Sequence, residues 1–148
     1  MPQHLNKYCY GVTGTRNPPE NIDDIVFEWI QSLPAGSTIY HGGCVGVDAV
    51  VARLAWQAGH KVIAVLPILG GQIDRDSWQR WSHFVIYAPM GVGSENDYRA
   101  RNKLLVHQLY KRGGLLKAFW NGRKRSGTSM TINIAKGEQV PVEIEELP

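Results

Sequence analysis

The sequence predicts an α/β protein of Rossmann-like type, a mostly parallel sheet with helices on both faces, in a single domain over residues 1–148. Three observations point there. Short apolar runs alternate with segments of helical period along the chain, which is the pattern of βαβ units. The runs KVIAVLP and HFVIYAP are continuously apolar, as strands covered on both faces are. Glycine-rich turns follow several of the strands and lead into helices. A chain of 148 residues, 43% hydrophobic and 20% charged, suits one globular core.

The elements follow in order. KYCYGVTG reads as a first strand ending in glycine. Ile22, Ile25, Val26, Trp29, Ile30 and Leu33 then fall on one helical face, with Asn17–Pro18 as a reasonable start and PAG as the stop. STIYHG is a second strand. Val47, Val50, Val51, Leu54, Ala55 and Ala58 repeat the helical spacing until Gly59 ends it. KVIAVLP and HFVIYAP follow as strands, separated by a long connection in which Trp78 and Trp81 stand at helical spacing. Those tryptophans suit packing or a dimer contact, with base stacking as the alternative, and Asp74 and Asp76 suit solvent. YRARNKLLV begins a further helix, GLLKAFW is a strand, SGTSMTINIAKG a helix and VPVEIEEL a final strand.

One helical stripe carries an anomaly. It runs from Tyr98 through Arg101, Asn102, Leu105, Val106 and Leu109, so two polar side chains occupy inward positions. A buried arginine is costly alone and favourable beside an anion. Near a helix start at a strand's carboxyl end, Arg101 would clamp a phosphate or carboxylate, and Asn102 would pin a loop or a ligand hydroxyl. A structural bridge from Arg101 to Asp48 or Asp97 is the alternative.

In open parallel sheets, ligands bind beyond the carboxyl ends of the strands. Four segments belong there: Gly14, Thr15 and Arg16 after the first strand; Gly42, Gly43, Gly46 and Asp48 after the second; Arg101–Asn102; and Ser126, Gly127 and Thr128 before the last helix. Glycine admits an anion close to backbone N–H groups, and a helix N-terminus adds unpaired donors and positive potential. Neither turn is a Gly-Lys-Ser/Thr phosphate loop, and the dinucleotide pattern G-x-G-x-x-G is missing after the first strand, so hydride transfer on NAD is disfavoured. Asp48 could accept from a ribose, serve as a base or stabilise its helix start. Cys44 would have a lowered pKa at a helix start, with His41 as a neighbouring base, though a small residue in a tight turn explains it more simply.

The net charge of +3 permits an anionic ligand without demanding a nucleic-acid groove. The basic run NGRKRSG is either a solvated loop or a phosphate contact. Two cysteines, no disulfide framework, no signal segment and no long apolar stretch point to the cytoplasm and away from a membrane. His41, His60, His83 and His107 show no metal-ligand spacing, and neither a metal nor a cofactor is expected.

Taken together, the motifs resemble the SLOG superfamily, the Rossmann-like group that includes DprA/Smf and the LOG-type phosphoribohydrolases. The matching features, in order, are GTR at Gly14–Arg16, Gly-Gly-x-x-Gly-x-Asp at Gly42–Asp48, IAVLP, Arg101–Asn102, the turn Ser126–Thr128 and VPVEI. The LOG signature Pro-Gly-Gly-x-Gly-Thr-x-x-Glu is replaced by NGRKRSGT, and the domains that flank the DprA core find no room in this length. The resemblance is therefore nearest to small stand-alone YspA-like members. It implies a protein that binds a nucleotide or nucleotide-derived small molecule, as a sensor or binding module, and self-association as a homodimer. Two other functions stay open. An N-glycosidase would draw its carboxylate from Asp48 or Glu95. A DprA-like binder of single-stranded DNA would use Arg16, Arg123, Lys124 and Arg125 along one rim.

Overall fold

A computed structural model describes residues 5–68, 73–89 and 93–148, and for 93–96 the backbone alone. In chain order the elements are β1 (Cys9–Gly14), α1 (Ile22–Gln31), β2 (Thr38–His41), α2 (Val47–Gln57), β3 (Lys61–Leu66), α3 (Arg75–Trp81), β4 (Phe84–Tyr87), α4 (Gly93–Arg112), β5 (Leu115–Trp120), α5 (Gly127–Gly137) and β6 (Val142–Glu146). The strands form one six-stranded sheet in the order β4-β3-β2-β1-β5-β6. Every pairing is parallel. The chain steps outward from β1 to β4, returns through α4, and adds β5 and β6 on the other side. Strand order thus reverses between β1 and β5, where Tyr10 pairs with Leu115 and Gly14 with Phe119.

Alternation along β1 divides the core into two layers. Tyr10 and Val12 join α1 and α2, through Val26, Trp29, Ile30, Val47 and Val51. Cys9 joins the opposite layer, where Leu105, Val106 and Leu109 of α4 and Ala135 of α5 pack. Trp29 stands edge-on to both Tyr10 and Phe119, at 5.8 and 5.7 Å between ring centres, and so ties α1 to the middle of the sheet. The α/β class, the parallel sheet and the helices on both faces are as the sequence pattern predicts.

Four local readings change. Helix α1 starts at Ile22, later than Asn17–Pro18 suggests, because those residues serve the turn that leaves β1. Strand β4 is not covered on both faces: it is the sheet edge, and Phe84 and Tyr87 are more than half exposed, at 56% and 58%. Helix α4 begins at Gly93, so Arg101 and Asn102 lie more than two turns inside it rather than near its start. Asp74 is not simply solvated. Its carboxylate caps α3 by accepting from the Ser77 N–H at 3.1 Å, whereas Asp76 is exposed.

Among the described residues, Lys117 is the one lysine buried in the sheet, on β5. Its ammonium meets Glu143 at 2.7 Å and Glu145 at 3.1 Å, both on the edge strand β6. Withdrawing the ammonium from water cancels much of what the pairs contribute. Lys117→Met is therefore expected to change stability by less than about 1 kcal/mol, as urea unfolding would read it. Replacing both glutamates by glutamine strands the buried ammonium and is expected to cost more than that.

Candidate functional site

The carboxyl ends of β1, β2 and β5 open onto one cleft of about 1110 Å³. Among the described residues, the cations lining it are Arg16, Arg99, Arg101, Arg123, Lys124 and Arg125, and the carboxylate is Asp48. Gly14, Thr15, Arg16, Asp48, Arg101, Asn102, Ser126, Gly127 and Thr128 all line this cleft, although they come from four separate segments. Gly42, Gly43 and Gly46 do not line it.

The reason lies in how the β2 turn uses its own donors. The Gly42 and Cys44 N–H groups donate to Asp48 Oδ2, at 3.1 and 3.3 Å. The Gly43 N–H donates to His41 Nδ1 at 2.9 Å. The Val47 N–H, in the first turn of α2, donates to Thr15 O at 3.1 Å. The turn that looks like an open anion cradle is thus filled from within, by the protein's own carboxylate and by the loop after β1. Asp48 is buried, and burial pushes its carboxyl up, against the opposing pull of Arg101 and the two N–H donors.

Arg101 lies beneath this turn. Its Nε donates to Asn102 Oδ1 at 2.7 Å, one terminal nitrogen donates to Gly42 O, and the other reaches Cys44 Sγ at 3.5 Å. It forms no ion pair with Asp48, the bridge that was one alternative. The Tyr98 ring receives two guanidiniums, Arg16 at 4.9 Å and Arg101 at 5.5 Å from its centre. Tyr98 heads the stripe that contains Arg101, so its place in the site follows from helical spacing. Asn121, which opens the run NGRKRSG, also lines the cleft, as do Arg99 and Met130, which no motif marks.

Helix α5 meets the cleft with its N-terminus. Ser126 caps it, its Oγ accepting from the Ser129 N–H at 3.1 Å while donating to Arg123 O at 2.8 Å. The Gly127 and Thr128 N–H groups have no acceptor among the described residues, and no acidic side chain occupies the first turn. The preceding loop is held by Trp120 Nε1 donating to Arg123 O at 3.0 Å and by the Arg123 N–H donating to Asn121 Oδ1 at 3.0 Å. Arg123, Lys124 and Arg125 are exposed on the rim.

Two proposed chemical roles lose their physical basis. Burial pushes the Cys44 thiol up, outweighing Arg101, so it is no activated nucleophile. His41 cannot serve it as base, because its ring nitrogens engage the Gly43 N–H and Ser82 Oγ. The side chain of Glu95 lies outside the described residues. In α3, Trp81 packs edge-on against Trp56 at 6.4 Å, within the molecule.

His41 makes a pH prediction. Burial, with Arg101 adding to it, lowers its pKa from 6.5 to about 3, so it is neutral in the fold. The unfolded chain takes up that proton first. Stability is therefore full above about pH 6.5 and falls as pH drops toward 3, by up to about 1.4 kcal/mol per pH unit. The raised carboxyl of Asp48 acts in the opposite sense at the acid end. Urea midpoints between pH 7 and 5 should fall for the wild type and stay flatter in His41→Asn, which keeps an acceptor for the Gly43 N–H.

No protein-family model and no curated protein matches the chain by sequence. Solved structures do. DNA processing protein A from Streptococcus pneumoniae superposes with a TM-score of 0.71 at 22% identity, over 91% of this chain and 49% of that one. DNA processing protein A from Helicobacter pylori, solved to describe how it binds single-stranded DNA, gives 0.69 at 17% identity over 93% and 65%. The molybdenum cofactor binding protein from Rippkaea orientalis gives 0.67 at 20% identity over 95% and 77%. The chain spans about half the length of the S. pneumoniae protein. At these identities the likeness is one of fold, and it bears out the Rossmann-like arrangement that the sequence pattern predicts. No helix among the described residues is long and apolar enough to cross a membrane.

Proposed function

We propose that the cleft binds a nucleotide or nucleotide-derived small molecule by its phosphate, as a binding or sensing site. One observation carries this reading: the uncapped Gly127 and Thr128 N–H groups of α5 open into a cleft lined by six cations and one carboxylate among the described residues. A helix start with spare donors holds an anion, and charge-assisted bonds from Arg16 and Arg101 would strengthen the hold. A structural neighbour solved to describe single-stranded DNA binding supports a phosphate-bearing ligand, since DNA carries phosphate. Calorimetry tests it. Adenosine 5′-monophosphate is expected to bind and adenosine not, and Arg16→Ala is expected to weaken the nucleotide at least tenfold. Equal binding of nucleoside and nucleotide would end the proposal. Chromatography of the mixture separates binding from hydrolysis: intact nucleotide supports a sensor, and free adenine would make the protein an N-glycosidase.

A second reading rests on the rim. Arg123, Lys124 and Arg125 are exposed together beside the cleft mouth, and phosphates of single-stranded DNA could follow them toward Arg16. Affinity for an oligonucleotide would then fall steeply with salt, whereas affinity for a mononucleotide would fall little.

A further inference from the structure

The deep end of the cleft differs in character from its rim. Asp48 Oδ2 is spent on the Gly42 and Cys44 N–H groups, yet Asp48 Oδ1 is buried with no hydrogen-bond partner. Asp48 is only 6% exposed, and it lines the cleft. An orphaned acceptor at this depth costs on the order of 1–3 kcal/mol, more when charged, until a donor reaches it. Asn102, also 6% exposed, lies on the same floor. Its Oδ1 holds Arg101, and its Nδ2 meets only Met130 Sδ at 3.5 Å, a weak acceptor. The floor therefore offers one unused acceptor and one underused donor.

Chemistry narrows what can satisfy both. A second phosphate is unsuited, because Asp48 already occupies the β2 turn as its resident anion. An ammonium is unsuited, because the Arg101 guanidinium shares that floor. A hydroxyl donates one hydrogen bond and accepts others. We infer that the floor of the cleft is a hydroxyl-recognition subsite, in which Asp48 Oδ1 accepts from a sugar hydroxyl of the ligand and Asn102 Nδ2 donates to one. The ligand is then a phosphorylated sugar derivative of the ribonucleotide type. Its single anchored phosphate sits at α5 and its diol at Asp48. This rests on the reading of the cleft as a phosphate site.

The experiment compares adenosine 5′-monophosphate with its 2′,3′-dideoxy analogue by calorimetry, on the wild type and on Asp48→Asn. Asparagine can keep an oxygen toward the turn while placing an amide nitrogen where Oδ1 was, so the hydroxyl proton loses its acceptor. The wild type is expected to bind the dideoxy analogue at least tenfold more weakly, and Asp48→Asn to distinguish the two by less than threefold. Equal affinities in the wild type overturn the inference while leaving the phosphate site standing, and this comparison needs no variant to fold. Discrimination that persists in Asp48→Asn also overturns it. If Asp48→Asn does not unfold cooperatively, Asn102→Ala takes its place, with reduced discrimination expected and full discrimination overturning the assignment. A wild type that binds neither compound removes the phosphate reading itself, and the subsite with it.

Discussion

Gly46→Ala is expected to destabilise the protein by about 3–4 kcal/mol and to lower its melting temperature by roughly ten degrees. Gly46 has a φ of +88°, where an L side chain is strained. An added Cβ would stand 2.6 Å from Arg16 Cα and 2.6 Å from Thr15 O. Both neighbours are backbone, and Thr15 O is already engaged by the Val47 N–H, so the loop cannot yield cheaply. A φ of +88° with a ψ of −131° lies in a region open nearly to glycine alone and costs an alanine about 2 kcal/mol, and the clash adds about 1–2 kcal/mol more. Gly122→Ala separates the two contributions. Its φ is +84°, but nothing lies within 4 Å of an added Cβ. Urea midpoints should place Gly122→Ala at about 1–2 kcal/mol and Gly46→Ala well beyond it. Matching losses would mean that the β2 turn does not press on the loop after β1. Binding of adenosine 5′-monophosphate should weaken along with stability in Gly46→Ala, since that loop carries Arg16.

Arg101→Leu is the second large effect: about 100-fold weaker binding of adenosine 5′-monophosphate, equivalent to about 2.7 kcal/mol. Hydrogen bonds to charged groups contribute about 1.5–3 kcal/mol each, so losing one guanidinium contact to phosphate suffices. The same change orphans Gly42 O and Asn102 Oδ1 and should cost about 2 kcal/mol of stability. Arg101→Lys is not a rescue, because one ammonium cannot reach Asn102, Gly42 O and an anion in the fork geometry that arginine supplies. Calorimetry and thermal unfolding on the same samples separate the effects. Full affinity in Arg101→Leu at reduced stability would make Arg101 a strut under the Gly42 turn and nothing more.

Most of the architecture was legible in the residues, for physical reasons. Val47, Val51 and Ala55 recur at helical spacing because one face of α2 must meet the sheet, and VIAVL is apolar throughout because β3 is buried on both sides after the exposed Lys61. The polar pair in the Tyr98 stripe was visible because leucine was expected there, and both residues are indeed buried. What escaped depends on neighbours distant in sequence. HFVIY and KVIAVL look alike as strings; only sheet order makes one an edge strand. The start of α4 at Gly93 was hidden because the residues before Tyr98 are polar and carry no apolar period. The Gly42–Cys44 turn has the composition of a ligand loop, and nothing in its spacing reveals that Asp48 folds back to occupy it. The cysteine in that turn was read from its helix start, but its thiol responds more strongly to burial.

The central position of β1 has a consequence for biosynthesis. Its two partners are β2, which follows directly, and β5, which begins at Leu115. A nascent chain still short of Leu115 on the ribosome has one flank of its middle strand bare, an adhesive edge for other chains. The cleft is completed later still, once α5 has been made. Chaperone demand should therefore peak in the interval between synthesis of β4 and synthesis of β5.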